Sequence, residues 1–150
     1  MFKFVIYGDP MGKGRPKFST FNGFVKTYTP KDTMNYESKV ISAFKEQCLN
    51  ACMYEPHKEL VAKIVAYFKI PKSGYSFYKK TNTMDLNKQG QGMALGVIRP
   101  TKKPDCDNIA KIILDALNGI AYYDDSQIYS LKVEKRYSEE PRVEVEIYEQ

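Results

Sequence analysis

Between Ile109 and Ile120 the apolar residues keep a helical period, and this pattern limits the folds open to the chain. Ile109, Ile112, Ile113, Ala116, Leu117 and Ile120 fall at i, i+3, i+4, i+7, i+8 and i+11, one face of a 3.6-residue repeat. A helix with such a stripe must bury it against a second layer of structure. Asn118-Gly119 offers the C-terminal stop. The opposite face carries Asp107, Lys111 and Asp115 at i,i+4 spacing, with Asp107 where an N-cap belongs and Asp105 two residues upstream.

The second layer is expected from strands. Phe2 to Tyr7 is β-branched or aromatic at most positions, and Glu59 to Ile70 is rich in Val, Ile, Tyr and Phe. Gly8 to Pro16 breaks regular structure. Lys17 to Tyr28 reads as a hairpin with Asn22-Gly23 at its turn, because type I′ turns need positive φ at both central residues. Thr29 as N-cap and Pro30 at the first helical position predict a helix running to about Met53. Ser73 to about Leu95 reads either as a helix with a glycine-rich exit or as a loop that orders on a partner. Gln127 to Tyr137 and Arg142 to Tyr148 read as two antiparallel strands joined by Ser138-Glu139-Glu140-Pro141. The whole predicts an α/β fold of the α+β kind: a small mixed sheet with two main helices, as one domain over residues 1–150.

Charge and composition narrow the function. The 150 residues carry a net charge of +5, and many acids sit near the C-terminus, so Lys and Arg dominate 13–31 and 69–103. That asymmetry suits a polyanionic partner, although a solvated basic surface would look the same. No apolar run approaches the roughly 18 residues that cross a bilayer. The N-terminus lacks a signal-peptide pattern, so no membrane association and a cytoplasmic location are expected. Cys48, Cys52 and Cys106 with a sole His57 do not make a four-ligand zinc site, nor a His-dependent nucleophilic unit.

Asp105, Asp107, Asn108 and Lys111, followed by Asp124-Asp125, carry the chemistry. Close carboxylates resist joint ionisation unless a cation sits between them, and oxygen-only clusters suit Mg²⁺ completed by substrate phosphates. A carboxylate before a helix is more often a cap. Lys111, one turn above, is placed to stabilise charge on a phosphate, or else to form a surface ion pair with Asp107 or Asp115. In a basic chain the group reads as metal-assisted phosphodiester cleavage. Lys13, Arg15, Lys17, Lys26, Lys102 and Lys103 are the expected nucleic-acid backbone contacts. Lys79 and Lys80, beside Tyr75, Phe77 and Tyr78, are placed to meet unpaired bases. Phe18, Phe21 and Phe24 either wedge into a DNA branch or serve as core or dimer contacts.

Asp105-Cys106-Asp107-Asn108, then Lys111, Asp115-Ala116-Leu117 and Asp124-Asp125, resemble the RusA family of Holliday junction resolvases, which are endodeoxyribonucleases. Pro10-Met11-Gly12-Lys13-Gly14-Arg15-Pro16-Lys17 and Tyr28-Thr29-Pro30 resemble its longer members. Cys106 departs from the aliphatic residue more usual there, and 73–96 is longer than in the shortest members. The resemblance implies a symmetric homodimer that resolves four-way DNA junctions by paired nicks, in recombination and repair. It implies metal binding by Asp105, Asp107 and Asp125, a catalytic Lys111 near the phosphate, and Mg²⁺ as cofactor with Mn²⁺ as substitute. The alternative is a non-catalytic branched-DNA-binding module of the same fold. A nucleotide-binding P-loop at Gly8 to Gly14 is disfavoured, since Gly12-Lys13 is followed by Gly14 rather than Ser or Thr. A Mg²⁺-using enzyme of small phosphate metabolism would not need the basic N-terminal arm.

Overall fold

The computed structural model describes residues 1–21 and 24–150. Within these residues, eight strands and three α-helices follow in the order β1 (Phe2–Tyr7), β2 (Lys17–Phe21), β3 (Phe24–Tyr28), α1 (Lys31–Gln47), β4 (Leu60–Lys69), β5 (Tyr75–Tyr78), β6 (Thr83–Leu86), α2 (Lys88–Ala94), α3 (Cys106–Leu117), β7 (Ile128–Ser138) and β8 (Arg142–Glu149). The fold is a mixed α+β arrangement, as its patterning predicts. The main sheet has the order β1-β8-β4-β7, with β4 parallel to β7 and antiparallel to β8.

One face of this sheet holds the core. In register, Phe4, Val145 and Ile64 form one row, flanked by Phe2, Ile147 and Ala62 on one side and by Ile6, Val143 and Ala66 on the other. All nine are buried, together with Tyr36, Val40 and Phe44 of α1 and the apolar stripe of α3. The two helices pack on each other and on this face. The other face is polar, with Lys3–Glu146 (2.7 Å), Lys132–Glu134 (2.8 Å) and Arg142–Glu144 (2.8 Å) ion pairs, the ordinary division of labour in a sheet covered on one side.

Several expectations are corrected here. α1 ends at Gln47, not near Met53: the backbone leaves helical geometry at Cys48 (φ −116°, ψ 54°), and the Gln47 amide meets the sheet edge, accepting from Val5 N at 2.9 Å and donating to Val5 O at 2.7 Å. Its N-cap is Pro30 rather than Thr29, with no side-chain cap bond. β7 and β8 form as predicted but do not pair with each other. The mostly apolar β4 lies between them, and residues 139–141 bridge two strand spacings of about 4.8 Å each. Residues 73–95 are neither a long helix nor a plain loop. A 3-10 turn leads into the β5–β6 hairpin, and Asn87, accepting from Gly90 N at 3.0 Å, starts α2. The β2–β3 hairpin exists, while its Asn22-Gly23 turn lies outside the described residues.

Candidate active site

α3 is the spine of the site. Ile109, Ile112, Ile113, Ala116 and Leu117 are buried as the period requires, with Ala110 and Leu114 buried beside them. Only a narrow polar edge remains, and it carries Asp107, Lys111 and Asp115. The helix begins earlier than expected: Asp105, not Asp107, is the N-cap residue, and Asp107 lies in the first turn. Asp105 makes no side-chain cap bond. Ile120 falls beyond the helix, after the C-cap at Asn118, where Gly119 takes φ 68°.

The Gly8 to Pro16 segment lies directly against the start of α3. Lys13 N donates to Asn108 O at 2.9 Å. A Cβ on Gly12 would stand 2.8 Å from Pro104 Cβ and 3.1 Å from Asn108 Cβ, so only glycine lets the loop approach this closely. Pro10, Met11, Gly12, Lys13 and Arg15 face Lys103, Pro104, Asp105 and Asn108 across an open cleft of about 590 Å³. Behind it, Lys135 Nζ donates to Lys102 O at 2.6 Å and Pro104 O at 3.1 Å, holding the segment that leads into the helix.

The predicted residues fall into two groups. Asp105, Asp107 and Lys111 are exposed and make no ion pair among the described residues. Lys111 is therefore not tied to Asp107 or Asp115. Asp115 is instead paired with Lys13 at 2.9 Å, and Lys13 also binds Glu37. Lys13 is thus turned inward, a link between α1, α3 and the glycine-rich loop rather than an outward-facing cation. Arg15, Lys17, Lys102 and Lys103 are exposed. Lys26 lies on β3, and its side chain is outside the described residues, as is that of Phe21. Phe18 and Phe24 are 72% and 80% exposed, so neither serves the core of this chain.

Asp124 and Asp125 have different duties. Asp124 caps a 3-10 turn over Asp125–Gln127: its Oδ1 accepts from Ser126 N at 3.0 Å, and Gln127 Oε1 accepts from Asp124 N at 3.2 Å. Hydrogen bonding from the Ser126 side chain and from its backbone N–H holds the Asp124 carboxyl below the usual value. Asp125, half-buried, has no such duty. It stands near Tyr122, whose buried hydroxyl donates to Leu114 O at 2.7 Å. Burial raises the Tyr122 pKa, and the charges of Asp125, Asp115 and Asp124 raise it further. Tyr122 therefore stays a neutral donor that pins the return of the chain to α3. Sequence patterning had no means to find Tyr122 or Glu37, whose partners are set by the fold rather than by near neighbours.

Among the described residues, no three His, Cys, Asp or Glu side chains stand close enough together to hold a metal between them. Asp105 and Asp107 flank the first turn of α3, whereas Asp125 is felt at Tyr122, beside its second half. The donors are carboxylate oxygens, solvent-facing at 105 and 107. That donor chemistry fits a hard cation which takes one or two carboxylates and completes its shell with substrate phosphate and water. No helix among the described residues is long and apolar enough to cross a membrane.

Comparison with known proteins bears on this geometry. The family profile described as "Endodeoxyribonuclease RusA" matches residues 7–148. The chain is 38% identical over 151 residues to "Uncharacterized protein YqaN" of Bacillus subtilis (strain 168), covering 98% of this chain and 95% of that protein. It is 44% identical over 50 residues to "Crossover junction endodeoxyribonuclease rusA" of Lactococcus phage r1t, covering 33% of this chain and 38% of that one.

Proposed function

The chain belongs to the RusA endodeoxyribonuclease family, and from that premise we propose that it is a divalent-metal-dependent endonuclease that resolves four-way DNA junctions by paired nicks. The observation that carries the reading is the state of the α3 edge. Asp105, Asp107 and Lys111 are exposed without ion pairs among the described residues, while Lys13, Asp115 and Glu37 beside them are paired. An unpaired lysine beside two unpaired carboxylates, at the end of α3 that opens on the cleft, suits a phosphate together with a bridging cation better than it suits stability.

One or two of the carboxylates Asp105, Asp107 and Asp125 would hold the cation, Mg²⁺ or Mn²⁺, with substrate phosphate and water completing its shell. When bound, it supplies neutralisation of phosphate charge and a more acidic water for in-line attack. Lys111 donates to a non-bridging phosphate oxygen, where positive charge counts most as negative charge builds. Arg15, Lys17, Lys102 and Lys103 contact the backbone on either side and fix position rather than sequence. The whole chain acts as one domain and pairs as a two-fold dimer, so that two sites meet the two equivalent strands of a junction.

The test is cleavage of a labelled four-way junction with Mg²⁺ against a linear duplex of matched sequence, for the wild type, Asp107→Asn and Lys111→Ala. The expected result is paired nicks on the junction alone, reduced at least about a hundredfold in either variant. Binding without cleavage in any divalent metal would favour the non-catalytic branched-DNA-binding module instead.

A further inference from the structure

A second cleft, of about 780 Å³, opens next to the acidic pair between the 56–59 turn and the chain that leads from α3 into β7. Tyr123 and Tyr129 line it and remain 66% and 55% exposed, a large aromatic surface to leave in water. Its walls are pinned by one side chain. Gln127 Oε1 accepts from Tyr123 N at 2.9 Å and from Asp124 N at 3.2 Å, while its Nε2 donates to Glu55 O at 2.9 Å and Lys58 O at 3.3 Å. The backbone that lines the cleft is therefore held in place, and the volume leaves ample room for a planar group.

The charges around it disfavour a phosphate. Glu59 and Asp124 line it, and the lysine beside them, Lys58, is engaged by Glu149 at 2.7 Å. What two exposed tyrosine faces in a weakly acidic cleft can hold is a neutral aromatic ring, stacked on one or both. Tyr123 and Asp124 immediately precede Asp125, so a base seated there keeps its own backbone beside the candidate metal ligand.

We propose that this cleft takes one unstacked nucleobase of the branched DNA strand, held by stacking on Tyr123 and Tyr129. The inference rests on the endonuclease reading and adds a base-holding subsite to it. A base displaced at a branch point has already lost part of its stacking, so capture costs less there than in a duplex, and the subsite contributes to structure selectivity.

The test is a set of four-way junctions, each with one abasic site at successive positions about the branch, bound to wild-type protein with Ca²⁺ in place of Mg²⁺. One position is expected to weaken binding about tenfold in the wild type. The same lesion should cost little in Tyr123→Ala or Tyr129→Ala, and regain its cost in Tyr123→Phe and Tyr129→Phe, which keep the ring. If no abasic position weakens wild-type binding, or the penalty is unchanged in the alanine variants, the subsite is overturned while junction cleavage still upholds the endonuclease. If the protein neither binds nor cuts any DNA, both readings fall. The wild-type series needs no variant, so a folding defect in one cannot mask the outcome.

Discussion

Lys13 joins three parts of the molecule through one ammonium. It sits in the glycine-rich loop, binds Glu37 of α1 and reaches Asp115 of α3 at 2.9 Å. Burial works against its charge, but hydrogen bonds to Glu37 and Asp115 outweigh that, and its pKa stands above the ordinary 10.5. A raised lysine pKa stabilises the fold fully below 10.5, and the contribution is lost as pH rises through the raised value. Lys13→Met would leave two carboxylates facing each other. It is expected to cost about 1–3 kcal/mol in urea denaturation at pH 7. The aspartate pair gives a sharper prediction. Asp124→Asn keeps a good cap and should retain junction cleavage within a few-fold, whereas Asp125→Asn should lose it. Measured nicking rates decide this, and the reverse order would reassign the metal ligand.

At the scale of elements, edges are where sequence patterns mislead. β1 is an edge strand whose free backbone at Val5 is closed by the amide of Gln47, the last residue of α1. β7 is the other edge and carries Lys132, Glu134 and Arg136, charges that discourage pairing with another sheet. Lys132 and Arg136 hydrogen-bond Glu134 and hold its carboxyl down at about 2. A depressed carboxylate stabilises above its unfolded value of 4.5, and that contribution is lost as pH falls toward 2. Glu134→Gln should therefore flatten the acid limb of a stability-against-pH curve between 4.5 and 2, with a small loss of stability at pH 7, since the pair is solvated, that vanishes as pH falls toward 2. The core side of the same sheet behaves differently. Ile113 of α3 is fully buried, and Ile113→Ala should cost about 2–5 kcal/mol in urea denaturation.

Across the whole molecule, charge and symmetry set how DNA is met. The net charge is +5, yet Lys13 and Lys135 are spent internally, which leaves fewer cations for phosphate than the sequence suggests. Junction affinity should fall steeply with salt, and Lys102→Ala with Lys103→Ala should reduce the log–log slope by about 0.9 for each phosphate the protein no longer neutralises. Sedimentation of the protein–junction complex should show two chains per junction. The patterns that depend on near neighbours were legible in the sequence: the α3 stripe, the polar edge of Asp107, Lys111 and Asp115 opposite it, β1, β4 and the β2–β3 pair. Helical and strand periods are local physics, and the stripe alone requires a sheet to cover it. The tertiary structure decided what depends on distant partners. It placed β4 between β7 and β8, ended α1 at Gln47, turned Lys13 inward and gave Asp124 a capping duty that Asp125 lacks. Each of those outcomes is set by residues brought together from far apart along the chain, or by the hydrogen-bonding needs of a backbone whose partner only packing supplies.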